Sequence, residues 1–153
     1  MNKIRCSVLL LGIGFAGFAF AATPEEAVKA VLAQYKAALE TRDLTGVDAL
    51  FAEANEVIEN GKVEGTYADY RDHHIGPELA HIESFAFSDY AVRVTFEGSV
   101  ALSTETYRYT IRVKDTAEPI VRQGVATNVL ALRDGRWKIL SHHSSSRVPK
   151  PTK

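Results

Sequence analysis

Residues 121–146 read VRQGVATNVLALRDGRWKILSHHSSS, two apolar-rich runs joined at Asp134-Gly135. Asp-Gly supplies the two positive-φ positions of a tight turn whose twist matches that of paired strands, so the stretch is committed to a β-hairpin. A long two-faced ribbon must lay one face on a core brought from elsewhere in the chain. The second run holds the only Trp, Trp137, and ends in His142-His143 among serines. Everything upstream has to supply that core.

The chain begins supplying it at Thr23-Pro24-Glu25-Glu26. Thr23 can cap a helix, Pro24 sits at the first position where its missing N–H costs nothing, and Glu26 completes a capping box. Val28, Val31, Leu32, Tyr35 and Leu39 then recur at helical spacing, predicting an amphipathic helix that ends near Thr41. A second, shorter helix is expected over 43–51. Glu56-Val57-Ile58-Glu59 is a short strand, turned by Asn60-Gly61 and returned by Lys62-Val63-Glu64. Thr66, with Asp69 three residues on, caps a third helix that Gly76-Pro77 ends. Tyr67, Tyr70 and His74 fall on one of its faces.

From His81 the apolar period changes to two. Residues 81–97 are long for one strand and are expected to bend near Ser88-Asp89. Residues 100–113 run back after Glu97-Gly98-Ser99, with Ala101, Ser103, Glu105, Tyr107, Tyr109 and Ile111 on one side. Helices first and long antiparallel strands afterwards make an α+β order. The expected solution is a cone, a strongly curved antiparallel sheet wrapped around the N-terminal helix, with a ligand in its open mouth.

The first 21 residues stand apart. Lys3 and Arg5 precede an uncharged apolar run over 7–20, and Ala19-Phe20-Ala21 has the small-x-small pattern of a cleavage site. The run is shorter than the roughly 20 residues a spanning helix needs. The expected organisation is a signal peptide over 1–21, one domain over 22–146 and a disordered basic tail over 147–153. The protein is then periplasmic or secreted, with no membrane insertion after cleavage. Losing Lys3 and Arg5 takes the formal net charge from −1 to −3, and no basic patch suited to nucleic acid remains. The only cysteine, Cys6, leaves too, so the domain has neither disulfide nor thiolate chemistry.

Thr127-Asn128-Val129, then Arg133-Asp134-Gly135-Arg136-Trp137-Lys138, then His143 and Ser145, resemble the C-terminal signature of nuclear transport factor 2-like domains. The nearest groups are the SnoaL-like proteins and the association domain of calcium/calmodulin-dependent kinase II. The order of elements agrees over the whole of 22–146. The resemblance implies a cystatin-like, cone-shaped α+β fold, a homodimer formed through the sheet, and a pocket between sheet and helices for a small-molecule ligand. Its members include isomerases, cyclases, dehydratases and non-catalytic binding or assembly modules. The kinase association domain carries a pocket arginine where this chain has Asn128.

Five histidines are the most suggestive residues: His73, His74, His81, His142 and His143. His142 and His143 are strand neighbours and point to opposite faces, so only one can enter a pocket. A two-residue turn at Asp134-Gly135 groups His143 with Asn128, whereas a three-residue loop with a bulge at Gly135 groups it with Thr127. Both registers stand. The catalytic candidates are His74, His143 and Glu105; the ligand-binding candidates are Tyr70, His74, Tyr107, Asn128, His142 and His143. A histidine with a pKa near 6.5 suits proton transfer at neutral pH, oriented by Glu105 or an aspartate of the third helix. The plainer reading makes these histidines hydrogen-bonded wall residues, the tyrosines core walls, and Glu105 a solvent-facing strand residue. Adjacent histidine pairs and the absence of H-E-x-x-H argue against a metal site, and no cofactor is expected. Two functions follow: an exported small-ligand-binding or assembly domain, or a cofactor-free isomerase, cyclase or dehydratase using histidine acid–base catalysis.

Overall fold

A computed structural model describes residues 22–151, so the leader expected over 1–21 and the last two residues of the tail lie outside the described residues. Helix α1 spans Pro24–Thr41 and opens with the anticipated reciprocal cap: the Glu26 N–H donates to Thr23 Oγ1 at 3.2 Å, and the Thr23 N–H to Glu26 Oε2 at 2.7 Å. Its apolar stripe, Val28, Leu32, Tyr35 and Ala38, is buried. The second helix expected over 43–51 is only a 3₁₀ turn, Val47–Leu50. Gly46, at φ 79°, breaks the backbone before it, and strand β1 begins at once with Phe51.

Strand β1 (Phe51–Glu59) turns into β2 (Lys62–Gly65), and Thr66 caps α2 (Tyr67–Tyr70) with Asp69 completing the capping box. Gly76-Pro77 does not end this helical segment. The turn widens to a π-helix over Arg71–Ile75 and continues as α3, Gly76–His81. Proline has no N–H to donate and crowds the preceding turn, a conflict that a widened turn relieves. Gly76 fits because a Cβ there would stand 2.4 Å from the Arg71 carbonyl oxygen. Four long strands follow: β3 (Ile82–Glu97), β4 (Val100–Val113), β5 (Ile120–Arg133) and β6 (Arg136–Arg147).

The expectation of a cone, a strongly curved antiparallel sheet wrapped around α1, is not met. The strands form an open six-stranded sheet in the order β2-β1-β6-β5-β4-β3. Its two edges, β2 and β3, do not pair, and β1 joins β6 in parallel. Closure would require the edges to meet; β2 is only four residues long, and the chain after it forms the helical segment over Tyr67–His81 instead. Helix α1 therefore lies on one face, where Val28, Leu32 and Tyr35 pack with Val57, Leu130 and Ile139 in one core. Among the described residues no helix is long and apolar enough to cross a membrane.

Two interruptions in the strand register place the functional side chains. In β3 the pairing with β4 skips between Ser88 and Ala91, with Asp89 at φ 51°. This is the bend expected near Ser88-Asp89, and bulges of this kind re-aim side chains. In β6 the hairpin turn has two residues, closed by Arg133 opposite Arg136, with Asp134 and Gly135 at φ 48° and 74°. Further along, Leu130 faces Ile139 but Val129 faces Ser141, so Leu140 is an extra residue. Beyond it His142 lies opposite Asn128 and His143 opposite Thr127. The turn matches one of the two registers expected; the partners of the histidines match the other.

Candidate active site

Because strand side chains alternate, the Leu140 bulge sets the fate of both histidines. His142 turns inward and is 7% exposed, while His143 is exposed on the opposite face. On the same inner face Ser103, Glu105 and Asn128 are buried, supplied by the alternation of β4 and β5. These four side chains form a connected array. Asn128 Nδ2 donates to Ser103 Oγ at 2.9 Å and to Glu105 Oε1 at 2.7 Å. That orientation leaves Asn128 Oδ1, which can only accept, 2.7 Å from His142 Nδ1. Neutral His142 therefore carries its proton on Nδ1 and keeps a lone pair on Nε2. Tyr90, re-aimed by the β3 bulge, donates its hydroxyl to Glu105 Oε2.

Burial sets the electrostatics. Desolvation pushes the Glu105 carboxyl above its ordinary value, and the hydrogen bonds from Tyr90 and Asn128 only partly oppose it. Desolvation drives His142 down to about 4, with a smaller contribution from His143, so the imidazole is neutral at neutral pH. Burial raises Tyr35, keeping that phenol a hydrogen-bond donor.

Glu105 and His142 line a cavity of about 120 Å³ between the sheet and the helices. An engineered apolar cavity of about 150 Å³ holds benzene, so this partly open space suits roughly one six-membered ring. Its walls are aromatic. Tyr35 of α1 meets the His142 ring edge-on, with centroids 5.2 Å apart, and Phe87 meets Tyr107 edge-on at 5.1 Å. Tyr35 is 6% exposed as a residue, lines this cavity and makes no hydrogen bond through its hydroxyl among the described residues, whereas the fully buried hydroxyl without a partner there is that of Tyr67. Gly124 makes room for Tyr107, since a Cβ there would stand 2.2 Å from the ring.

A second constellation sits beside the cavity. His74 Nδ1 is 2.9 Å from Glu64 Oε1, while its Nε2 is 3.2 Å from Glu78 Oε1 and 3.8 Å from Glu59 Oε2. The Tyr70 hydroxyl donates to Glu59 Oε2 at 2.7 Å. Among the described residues no group of three or more histidine, cysteine or acidic side chains is arranged to hold a metal ion.

Of the residues picked out by sequence, the structure brings Glu105, Asn128 and His142 into one hydrogen-bonded array, with Tyr107 and Tyr70 on the cavity wall. His74 joins the carboxylates of Glu59, Glu64 and Glu78 instead, and His143 lies outside the cavity. Sequence reasoning missed Tyr35, Tyr90, Lys36 and Glu59, all of which line it. Tyr35 was hidden in the apolar stripe of α1. For Tyr90 the bend expected at Ser88-Asp89 was the available signal.

The family model of the SnoaL-like domain matches residues 28–149. No curated protein matches the chain. Among solved structures, a candidate dehydratase of the nuclear transport factor 2-like family from Streptomyces avermitilis is 22% identical, with a TM-score of 0.71 over 83% of this chain and 100% of that one. A candidate ketosteroid isomerase from Shewanella frigidimarina is 29% identical, with a TM-score of 0.68 over 78% and 94%. A candidate calcium/calmodulin-dependent protein kinase II association domain from Xanthomonas campestris is 24% identical, with a TM-score of 0.63 over 83% and 93%.

Proposed function

The chain belongs to the SnoaL-like family of the nuclear transport factor 2-like superfamily, and from that premise we propose that it is a cofactor-free proton-transfer enzyme of the isomerase or dehydratase kind. Glu105 moves the proton. Its raised pKa brings it closer to the operating pH than an exposed carboxylate, which favours both taking and returning a proton. The substrate is a small cyclic compound with a carbonyl group. Glu105 takes a proton from the carbon beside that carbonyl while the Tyr35 hydroxyl donates a hydrogen bond to the developing oxyanion. Returning the proton to another carbon isomerises the substrate; loss of a β-hydroxyl as water dehydrates it. Asn128 and Tyr90 hold the carboxylate, and His142 Nε2 accepts a hydrogen bond from a substrate hydroxyl.

One observation carries this reading. A buried carboxylate shares a ring-sized cavity with Tyr35 and His142, residues each more than nine-tenths buried, whose hydroxyl and Nε2 make no hydrogen bond among the described residues and are left for a ligand to satisfy. A binding-only domain has no need of a carboxylate raised in this way, and the candidate dehydratases and ketosteroid isomerase among the structural relatives favour turnover. We further propose that residues 1–21 act as an export leader, so that the protein works after export, and that a second copy pairs against the outer sheet face carrying Leu102 and Val125.

The test is deuterium uptake from heavy water into cyclohexanone and 2-cyclohexenone, followed by NMR. Glu105→Gln, with folding checked by its thermal melt, should slow exchange by about 10²- to 10⁴-fold. Exchange no faster than in buffer for the wild type, or an unchanged rate in the variant, would overturn the proposal.

A further inference from the structure

The cavity wall is unevenly charged. Three carboxylates line it, Glu59, Glu78 and Glu105, against one ammonium, Lys36. Lys36 is already matched, its Nζ standing 2.6 Å from Glu40 Oε2. At the other end, even with His74 protonated, Glu59, Glu64 and Glu78 outnumber His74 and Lys62 by one charge. The lining is thus short of positive charge at the Glu59–Glu78 end. Carboxylate- or phosphate-bearing ligands would meet repulsion there.

The aromatic faces receive the rest of the ligand. Lys36 Nζ lies 5.4 Å from the ring centroids of both Phe87 and Tyr90, within the roughly 6 Å over which a ring face attracts a cation. Lys36 thus supplies the cation for these two rings itself, which leaves the Glu59–Glu78 end as the place for a ligand's positive charge. Independently of the carboxylates, Tyr35 is 6% exposed, lines the cavity and makes no hydrogen bond through its hydroxyl among the described residues, which leaves that group for a ligand to satisfy.

We propose that the cavity takes a ligand carrying a protonated amine on a small ring, with the ammonium at the Glu59–Glu78 end and the ring among the aromatic faces. The inference rests on this cavity being the working site proposed above, and it assigns the substrate class. Glu59 keeps its bond from Tyr70 and offers its remaining lone pairs to the ammonium, while Glu78 supplies the second carboxylate from the rim.

Isothermal titration calorimetry at neutral pH with benzylamine, benzyl alcohol and benzoate tests it without requiring turnover. Benzylamine should bind at least about tenfold more tightly than benzyl alcohol, and benzoate more weakly than either. The double variant Glu59→Gln/Glu78→Gln should lose the amine preference while its benzyl alcohol affinity stays within about twofold. If that variant fails to fold, Glu78→Gln alone, at a carboxylate 59% exposed, should still reduce the preference. Equal affinity for amine and alcohol, an amine preference that survives the substitutions, or no binding of any probe would overturn the inference. Deuterium exchange without amine selectivity would defeat this inference alone; amine selectivity without exchange would defeat the enzymatic reading alone.

Discussion

Replacing His142 with Phe tests the electrostatics of the site directly. Burial lowers this histidine from an ordinary 6.5 to about 4, so the unfolded chain takes up a proton at a pH where the folded protein refuses it. The native state therefore binds fewer protons, and the contribution of His142 is fully present above about pH 6.5 and lost as pH falls toward 4. Integrated over those two values, the loss is about 2 kcal/mol on going from pH 7 to pH 5 and about 3 kcal/mol at pH 4. Phe keeps the edge-on contact with Tyr35 but cannot donate to Asn128 Oδ1, which costs about 1–3 kcal/mol for the orphaned acceptor at every pH. The variant should thus be less stable at pH 7 and close the gap on the wild type as pH falls. Urea unfolding at pH 7, 5 and 4 reads both terms, since 3 kcal/mol moves the midpoint by about 1–3 M. Other titrating groups common to both proteins cancel when the two profiles are subtracted. Parallel profiles would refute the argument: His142 would then titrate alike folded and unfolded, and its neutral form with a free Nε2 could not be assumed.

Tyr90→Phe removes a hydrogen bond that favours the charged form of Glu105, so the Glu105 pKa should rise further and the pH profile of deuterium exchange should move to higher pH; a shift to lower pH would contradict the assignment. Gly124→Ala places a Cβ where the Tyr107 ring now lies and should tip that ring into the cavity. Benzylamine affinity should fall at least about tenfold while the fold survives by circular dichroism, and unchanged affinity would show that the ring relaxes elsewhere.

Much of this protein is legible locally. The reciprocal cap of Thr23 and Glu26 and the second capping box at Thr66 each need only four neighbouring residues, the helical stripe from Val28 to Leu39 needs only a contiguous segment of one helix, and each is found as expected. Glu105 and Tyr107 on one side of a strand follow from period-two alternation alone. The helix expected over 43–51 failed because Gly46 adopts a positive φ that a helix cannot continue through. The stop expected at Gly76-Pro77 failed because a helical turn can widen rather than end. The cone failed because wrapping depends on whether two distant edges can meet, a matter of strand lengths and of the helical segment inserted between them.

What the amino-acid order determined by itself was the order of the main elements, with a capped N-terminal helix first and the long strands last, and the alternation that puts Glu105 and Tyr107 on one side of a strand. The tertiary structure decided which histidine joins them. Asp134-Gly135 left two registers open, and the two-residue turn it forms is followed by a single unpaired residue, Leu140, that reverses the facing of everything after it. Whether a strand absorbs such a residue depends on both of its neighbours, here β5 on one side and the parallel β1 on the other, and no local pattern encodes that choice. Tyr35 arrives from a helix about a hundred residues upstream, and Tyr90 from a bulge at the sheet edge. A site of this kind exists only once long-range pairing has set its register, and so its chemistry is a property of the assembled sheet.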